Sequence, residues 1–277
     1  MEISKSKPKK KTLLEFGAFL PLGIEQNGTL GRDIAVRPWR LKEEKELSTI
    51  FDEKGAKMDR YVMAVLSTMF TKIGPHDFTT LAPAQKQVAI SQMFMADVFF
   101  AYLFLRVQAM GNELTFDLTC PKCREPFPFT VDLNTVEIRS AEKLVDANWD
   151  YKVKTPFPVR SKKVVELRLS PPRWSALQEI TEHGMNPGNM KSGMILGAVT
   201  GIKFEGVKDF ETLPLAKHEL DEMTKYDLEK LTTMIDETSL GPDMSIEVKC
   251  SKCRNEYKTS IEWTAESFFG VSSRLEK

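Results

Sequence analysis

The spacing of apolar and polar positions predicts helices over much of the chain. Helical periodicity covers residues 41–51 and 57–74, and a largely apolar segment extends from 80 to 111. Gly111 stands where this last segment should end, as glycine commonly does just beyond a helix. We interpret residues 80–111 as a central helix that is buried nearly all round.

Weaker signals follow in the second half of the chain. Residues 164–174 resemble a strand that two prolines terminate, and residues 174–183 have the periodicity of an amphipathic helix. Residues 189–207 are weakly helical, because Gly193, Gly197 and Gly201 lower the helix propensity there. Residues 224–241 predict a further helix, which again ends at a glycine.

Strict alternation of apolar and polar residues, which is typical of half-buried strands, occurs in four short segments. Two of them, residues 113–120 and 127–133, flank one Cys-x-x-Cys turn. The other two, residues 244–250 and 257–263, flank a second Cys-x-x-Cys turn. The pattern therefore predicts two β-hairpins, each with a pair of cysteines at its turn.

The two hairpin segments match each other at an offset of 130 residues. Cys120 and Cys123 coincide with Cys250 and Cys253, and Gly111 coincides with Gly241. Helix, glycine, strand, cysteine pair and strand thus occur twice in the same order. This order indicates an internal duplication or a structural solution that is used twice.

Each cysteine pair can give two thiolate ligands, and a structural zinc site needs four in a closed tetrahedron. We therefore predict one zinc ion per chain in a zinc ribbon that both hairpins share, with Cys120, Cys123, Cys250 and Cys253 as its ligands. Because 126 residues separate Cys123 from Cys250, the intervening chain must be an inserted unit whose ends return to one place. A redox-active cysteine pair and metal-free buried cysteines are the alternatives.

These segments together predict an α+β protein. We expect a mainly helical core, two β-hairpin zinc knuckles that form one zinc ribbon, and a mixed segment inserted between the knuckles. The expected divisions are a flexible basic arm (1–16), a strand, loop and helical region (17–111), the first knuckle (112–135), the inserted α/β segment (136–241), and the second knuckle with the tail (242–277).

Composition and charge narrow the class of protein. Apolar residues make up 42% of the chain, which is enough for a core. Lys plus Arg and Asp plus Glu both number 39, and this balance argues against a protein whose main partner is nucleic acid. The basic run that includes Lys5 and Lys7 is interpreted as a solvated arm, with a phosphate- or partner-binding arm as the alternative.

The same features bear on the compartment. The most apolar segment carries Asp97 and Arg106 and is too short to cross a bilayer, so we expect no membrane span. The N-terminus is charged and lacks the pattern of a signal peptide. We therefore expect a protein made in a reducing cytoplasm, where paired cysteines are usually metal ligands.

No catalytic constellation is visible in the sequence. His76, His183 and His218 are scattered, without a cysteine or carboxylate at the spacing of a metal site or triad. No nucleophile elbow, phosphate loop or dinucleotide fingerprint occurs. We expect no enzyme and no small-molecule substrate.

Several segments, in their order along the chain, resemble a known family. FLPLG is followed by DIAVRPWRLKEEKEL, and ADVFFAYLFLRVQAMG runs directly into the first cysteine pair. VELRLSPPRW precedes a helix, and CSKCRNEYKTSIEWTAESFF places Phe-Phe soon after the second pair. Together they are similar to the baseplate hub and tail-assembly proteins of contractile-tailed phages, the T-even baseplate family. The resemblance covers residues 19–269, and the cysteine pairs are its specific part.

The resemblance implies a non-enzymatic part of a tail machine. Such a protein is built into the tail baseplate or helps the hub to assemble in the host cytoplasm, and its partners are other baseplate, hub or tape-measure proteins. The alternative is a zinc ribbon that binds nucleic acid or acts in regulation, since Lys122, Arg124, Lys252 and Arg254 flank the cysteines. Zero net charge and the acidic residues around the same turns argue against that alternative.

Overall fold

The computed structural model describes residues 9–51, 58–183, 187–212 and 215–261. Helix and strand occupy about equal lengths of this part of the chain, so the expectation of a mainly helical core is wrong. The terminal Phe-Phe pair and the basic residues before Lys9 lie outside the described residues. The helices are α1 (Leu13–Phe16), α2 (Leu41–Phe51), α3 (Met58–Met69), α4 (Pro83–Ser91), α5 (Met95–Met110), α6 (Trp174–His183), α7 (Pro187–Ala198) and α8 (Lys225–Glu237).

The strands of the described residues belong to five sheets, and every pairing is antiparallel. The strands are β1 (Lys9–Thr12), β2 (Phe19–Gln26), β3 (Thr29–Val36), β4 (Phe70–Ile73), β5 (His76–Asp77), β6 (Glu113–Thr119), β7 (Pro126–Asp132), β8 (Glu137–Ser140), β9 (Trp149–Val159), β10 (Lys162–Leu169), β11 (Val199–Phe204), β12 (Gly241–Asp243), β13 (Ser245–Lys249) and β14 (Glu256–Ser260). Their orders are β2-β3-β4-β5, β1-β8-β12, β11-β10-β9, β6-β7 and β13-β14.

The long apolar segment forms two helices instead of one. It breaks between Ser91 and Met95, where the backbone pairs with the segment around Arg173. Met95 N donates to Pro172 O at 2.9 Å, and Trp174 N donates to Met93 O at 2.8 Å. Because these tertiary bonds satisfy the backbone, the helix can end where the apolar pattern continues.

Helix α5 is the centre of the larger core, as its composition predicts. Val98, Phe100 and Leu103 are fully buried, and Phe100 makes an edge-to-face contact with Phe16, with ring centroids 5.2 Å apart. This core also receives side chains from α3, α4 and the sheet β2-β3-β4-β5. The helix leads directly into the first cysteine hairpin.

Residues 9–16, which we expected in a flexible arm, are ordered secondary structure. Strand β1 pairs with β8, and α1 buries Leu13 in the larger core. Thr12 and Glu15 form a capping box at the start of α1. The Thr12 N–H donates to the Glu15 carboxylate at 2.9 Å.

The segment between the hairpins has a core of its own. Strands β9, β10 and β11 pack against α7 and α8 through buried side chains that include Phe157, Leu167, Ile202 and Leu231. The segment enters through β8 and leaves through β12, and these two strands are paired with each other. The ends of the insert therefore lie side by side, next to both hairpins.

Gly193 and Gly197 permit close helix packing, and Gly201 lies in strand β11. A Cβ at Gly193 would lie 2.3 Å from Ile180 Cγ1, and one at Gly197 would lie 2.2 Å from Ala176 Cβ. Helix α7 therefore approaches α6 at a distance that only glycine permits. After Ala198 the chain continues as β11, which the sequence pattern did not separate from the helix.

Candidate metal centre

The two cysteine hairpins pair their strands in the same register. Leu118 lies opposite Phe127 in the first hairpin, and Val248 lies opposite Tyr257 in the second. Each of these pairs differs from its counterpart by the same offset of 130 residues. The repeat found in the sequence is therefore also a repeat of structure.

The two turns repeat the same backbone hydrogen bonds. In the first turn Cys120 N donates to Glu125 O at 3.1 Å, and in the second Cys250 N donates to Asn255 O at 2.9 Å. Arg124 N and Arg254 N each donate back to the carbonyl oxygen of the first cysteine, at 2.9 and 3.0 Å. Arg124 and Arg254 both take left-handed backbone conformations, with φ of 59° and 57°. This conformation closes each turn so that its two cysteines face the other hairpin.

The four predicted cysteines come together as free thiols. Cys120 Sγ lies 3.7 Å from Cys253 Sγ, and Cys123 Sγ lies 3.7 Å from Cys250 Sγ. All four sulfurs lie within 4.8 Å of one another, and the two 3.7 Å separations are well beyond the length of a disulfide bond. A tetrahedron with metal–sulfur bonds of about 2.3 Å has edges of about 3.8 Å. The spacing of the sulfurs therefore fits a tetrahedral metal ion.

A small apolar cluster surrounds the thiols. Cys120 and Cys250 are fully buried, and Phe127 and Val248 pack with them. Cys123 and Cys253 are half-buried. The burial limits access of water to two of the sulfurs, which is typical of a closed structural site rather than an open catalytic one.

Backbone N–H groups point at the sulfur of the first cysteine in each turn. The N–H of Cys123, followed by that of Lys122, lowers the pKa of Cys120 to about 6. The N–H of Cys253 lowers the pKa of Cys250 in the same way. These dipoles favour the thiolate form, which is the form that binds a metal.

The crowding of thiols has the opposite effect on Cys123. The Glu125 N–H is the largest influence on its pKa and lowers it, but burial and the neighbouring thiols raise it to about 11. Four negative charges at this spacing repel one another strongly. All four cysteines can therefore be ionised together only when a cation lies between them, and the donor set suits a metal that prefers sulfur.

One ion pair joins the two turns outside the sulfur cluster. Lys252 Nζ lies 2.7 Å from the Glu125 carboxylate of the other hairpin. Glu125, and secondarily the charges of Cys123 and Cys250, raise the pKa of Lys252. The lysine thus offsets part of the negative charge of the thiolates.

Arg106 fixes the base of the first hairpin to α5. The side chain is only 6% exposed, and it donates to Gly111 O at 2.7 Å and to Glu113 O at 3.0 Å. These two carbonyls lie at the end of the helix and the start of β6, where cationic groups are favoured. In the sequence, Arg106 precedes Gly111 by five residues, and this position was the available signal for its contact with the end of the helix.

Different contacts, an ion pair and two hydrogen bonds of Asp243, fix the base of the second hairpin. Asp243 of β12 forms an ion pair with Arg139 of β8 and accepts hydrogen bonds from the N–H and hydroxyl of Ser245, at 3.1 and 2.6 Å. Gly241 has a φ of 95°, and a Cβ there would lie 3.0 Å from the backbone of Ala96 in α5. Both hairpins are thus positioned against α5, the first by Arg106 and the second by β12.

The structure brings the four predicted ligands into one cluster. Among residues 9–51, 58–183, 187–212 and 215–261, no other group of three or more His, Cys, Asp or Glu side chains is placed to hold a metal. His76 lies in β5, His183 ends α6 and His218 lies in a short 3₁₀ turn. In the described part of the chain, no helix is long and apolar enough to cross a membrane.

Comparison with known proteins identifies the family. Neither the curated proteins nor the solved structures contain a significant match. The family model described as T4 bacteriophage base plate protein matches residues 24–269, which include both cysteine hairpins. This range contains both cysteine hairpins, the insert between them and most of the larger core. The chain belongs to the T4 bacteriophage base plate protein family and is a structural protein of a phage tail baseplate.

Proposed function

We propose that this chain is a non-enzymatic structural or assembly component of the baseplate hub, and that one structural zinc ion joins its two hairpins. The family match over residues 24–269 supports the baseplate role, and the cluster of four thiols, with sulfur–sulfur distances of 3.7 Å between the hairpins, supports the zinc ion. Cys120, Cys123, Cys250 and Cys253 would hold the ion. A zinc ion there supplies a cross-link without redox chemistry of its own.

The cross-link connects parts of the chain that are distant in sequence. The ion would close a loop of about 130 residues, which contains the whole insert, and loops of this length have a large closure entropy in the unfolded chain. Metal binding to such a site contributes directly to the free energy of folding. The proposed role of the metal is therefore to fix the two hairpins and the insert as one unit for contacts with neighbouring proteins.

The proposed partners are other baseplate or hub proteins and the tape-measure protein. The protein would act in the host cytoplasm during assembly and then in the tail baseplate of the virion. Membership of the base plate family supports this location. Activity of the purified protein on peptidoglycan, nucleotides or peptides that depended on His76, His183 or His218 would contradict the non-enzymatic part of the proposal.

The test uses phage that carry Cys250→Ser, with Ser251→Ala as the matched control. Ser251 is exposed in the same turn and is not a ligand, so its change should leave assembly intact. We expect Cys250→Ser to reduce the number of complete tails counted by electron microscopy, and mass spectrometry to find the wild-type chain in tails or hub intermediates. Normal tails with Cys250→Ser, or absence of the chain from both kinds of particle, would contradict the proposal.

A further inference from the structure

The outer edge of β14 has free backbone hydrogen-bonding groups. Ile261 N donates to Met244 O at 2.9 Å, so every second residue pair along the hairpin is bonded and the pairs in between are not. Glu256, Lys258 and Ser260 belong to the pairs in between, and their N–H and C=O groups therefore point away from β13. In the described part of the chain, none of these groups has a hydrogen-bond partner. Such an edge is a template for a further strand.

The equivalent edge of the first hairpin is closed. Pro126 and Pro128 of β7 occupy the places that correspond to the two charged residues of β14, and neither proline has an N–H. Prolines on an edge strand are a common means of preventing a further strand from pairing there. Two hairpins that otherwise repeat each other thus differ at this edge, since one is closed and the other is open.

The side chains along β14 have a self-complementary pattern of charge. Glu256 and Lys258 are exposed on the face of the hairpin that is turned away from the thiols, because Tyr257 between them packs with the cysteines. Opposite charges already face each other within the hairpin: Lys249 Nζ lies 2.8 Å from the Glu256 carboxylate, and Lys258 Nζ lies 3.2 Å from the Glu247 carboxylate. An antiparallel copy of β14, aligned about Tyr257, would continue this alternation.

The strand β13 has the same alternation of charge but a less open edge. Ser245 N donates to the Asp243 carboxylate at 3.1 Å, which removes one donor from the edge. Ser245 and Ile246 also line one hollow with Val131 of the first hairpin. Strand β13 thus lies on the side of its hairpin that meets the rest of the chain, and β14 is the better edge for an outside strand.

We infer that the outer edge of β14 pairs with the same edge of a second copy of this chain. In the antiparallel arrangement about Tyr257, Glu256 of each copy lies opposite Lys258 of the other, so each backbone-bonded pair is also an ion pair. Opposite charges that face each other across strands stabilise the pairing, whereas like charges oppose it. The contact has two-fold symmetry, which is the commonest symmetry of protein oligomers. This self-association goes beyond the proposed function, which concerns contacts with other proteins.

The test uses two charge reversals in the full-length protein. Glu256→Lys places a lysine opposite Lys258 of the other copy, and Lys258→Glu places a glutamate opposite Glu256. Because of the two-fold symmetry, each substitution turns both ion pairs into repulsive pairs, so each variant should associate about tenfold more weakly than the wild type. An equimolar mixture of the two variants restores opposite charges at both positions and should associate as the wild type does.

Association is measured by sedimentation velocity over a concentration series, because the paired segment is short and the dimer depends on concentration. Lys249→Glu is the matched control: it makes the same change on the same exposed face and breaks an ion pair with Glu256, but it lies on β13. It should associate as the wild type does. Lys258→Pro copies Pro128 of the first hairpin and should abolish association, while the melting temperature shows that the variant is folded.

A wild type that remains monomeric at high micromolar concentration would overturn the inference. Hydrogen exchange then distinguishes the other occupants: a slow Lys258 amide in the monomer would mean that the same chain covers the edge, and a fast one would leave the edge to a different protein. Association that the charge reversals do not weaken, or that their mixture does not restore, would also overturn it. Weakening by Lys249→Glu without weakening by Lys258→Glu would overturn it in favour of β13.

Discussion

The hairpins β6–β7 and β13–β14 have the same cysteine turn but different supports. The first has longer strands, an edge-to-face contact of Phe116 with Phe129, and the buried clamp of Arg106 at its base. The second has shorter strands, and its base depends on the ion pair of Asp243 with Arg139. The two hairpins therefore share the cysteine turn that defines the candidate metal site, while their stability without metal should depend on their different supports.

The outer edges of the hairpins differ as well. Pro126 and Pro128 occupy positions in β7 that are not hydrogen bonded to β6, so their nitrogens face outward and leave no donor there. The equivalent positions in β14 are Glu256 and Lys258, which form exposed ion pairs across the hairpin. Exposed ion pairs contribute little, so we expect the second hairpin to need the metal more than the first.

The largest expected effect comes from removal of ligands on opposite hairpins. Cys120→Ser and Cys250→Ser should each lower the free energy of unfolding by about 2–5 kcal/mol, because a three-ligand site no longer closes the long loop. The double variant should lose no more than about 1 kcal/mol beyond either single variant, since residues of one site are not additive. Denaturant unfolding of the four proteins gives these values, and strict additivity would mean two independent sites.

Replacement of the buried clamp should affect the first hairpin selectively. Arg106→Met keeps the apolar volume of the side chain but leaves the Gly111 and Glu113 carbonyls without their donor, at a cost of about 2–4 kcal/mol. Hydrogen exchange should accelerate in β6 more than in β13. Equal acceleration in both hairpins would show that α5 does not support them separately.

The support of the second hairpin should be sensitive to acid. Burial raises the pKa of Asp243, but the hydrogen bonds from Ser245 and the charge of Arg139 outweigh it and lower the pKa below its usual value of 3.8. A carboxyl group with a lowered pKa stabilises the folded state above the unfolded-state pKa, and this contribution is lost as the pH falls through the folded-state pKa.

The variant Asp243→Asn isolates this contribution. It should lower the free energy of unfolding by about 1–2 kcal/mol at pH 7. This difference from the wild type should shrink below about pH 4. Release of the proposed zinc ion at low pH would affect both proteins, so only the difference between their free energies of unfolding is compared. A difference that stayed constant down to pH 3 would exclude Asp243 as the acid-sensitive support.

The smallest effect is expected from a substitution that gives the second hairpin a feature of the first. Lys258→Pro places proline where the first hairpin has Pro128, and it should cost about 1 kcal/mol or less because that N–H faces outward. Thr259→Pro, one residue further, removes a ladder hydrogen bond and should cost about 3 kcal/mol. Similar losses from the two changes would show that the hairpins do not share one hydrogen-bonding register.

The site could be predicted from the sequence because its determinants are local. The Cys-x-x-Cys turns and the alternating strands around them predicted both hairpins, and the offset of 130 residues predicted that they match. Arg124 and Arg254 were visible at equivalent positions, but their left-handed conformations were not. Sequence patterns do not show φ where the residue is not glycine.

The balance of helix and strand could not be predicted because tertiary contacts decide it. Phe70–Ile73 continues the apolar pattern of α3, yet it forms a strand because β3 and β5 pair with it. The break before Met95 depends in the same way on bonds to Pro172 and Trp174, almost eighty residues away. Short apolar segments fit both a buried helix and a buried strand, and their partners determine which forms.

The central claim is that both hairpins hold one zinc ion. X-ray absorption at the zinc edge, on protein whose metal content has been measured, tests it most directly. The account predicts about one zinc per chain with four sulfur neighbours at about 2.3 Å. Two zinc ions per chain, fewer than four sulfur neighbours, or intact thiols without bound metal would contradict it.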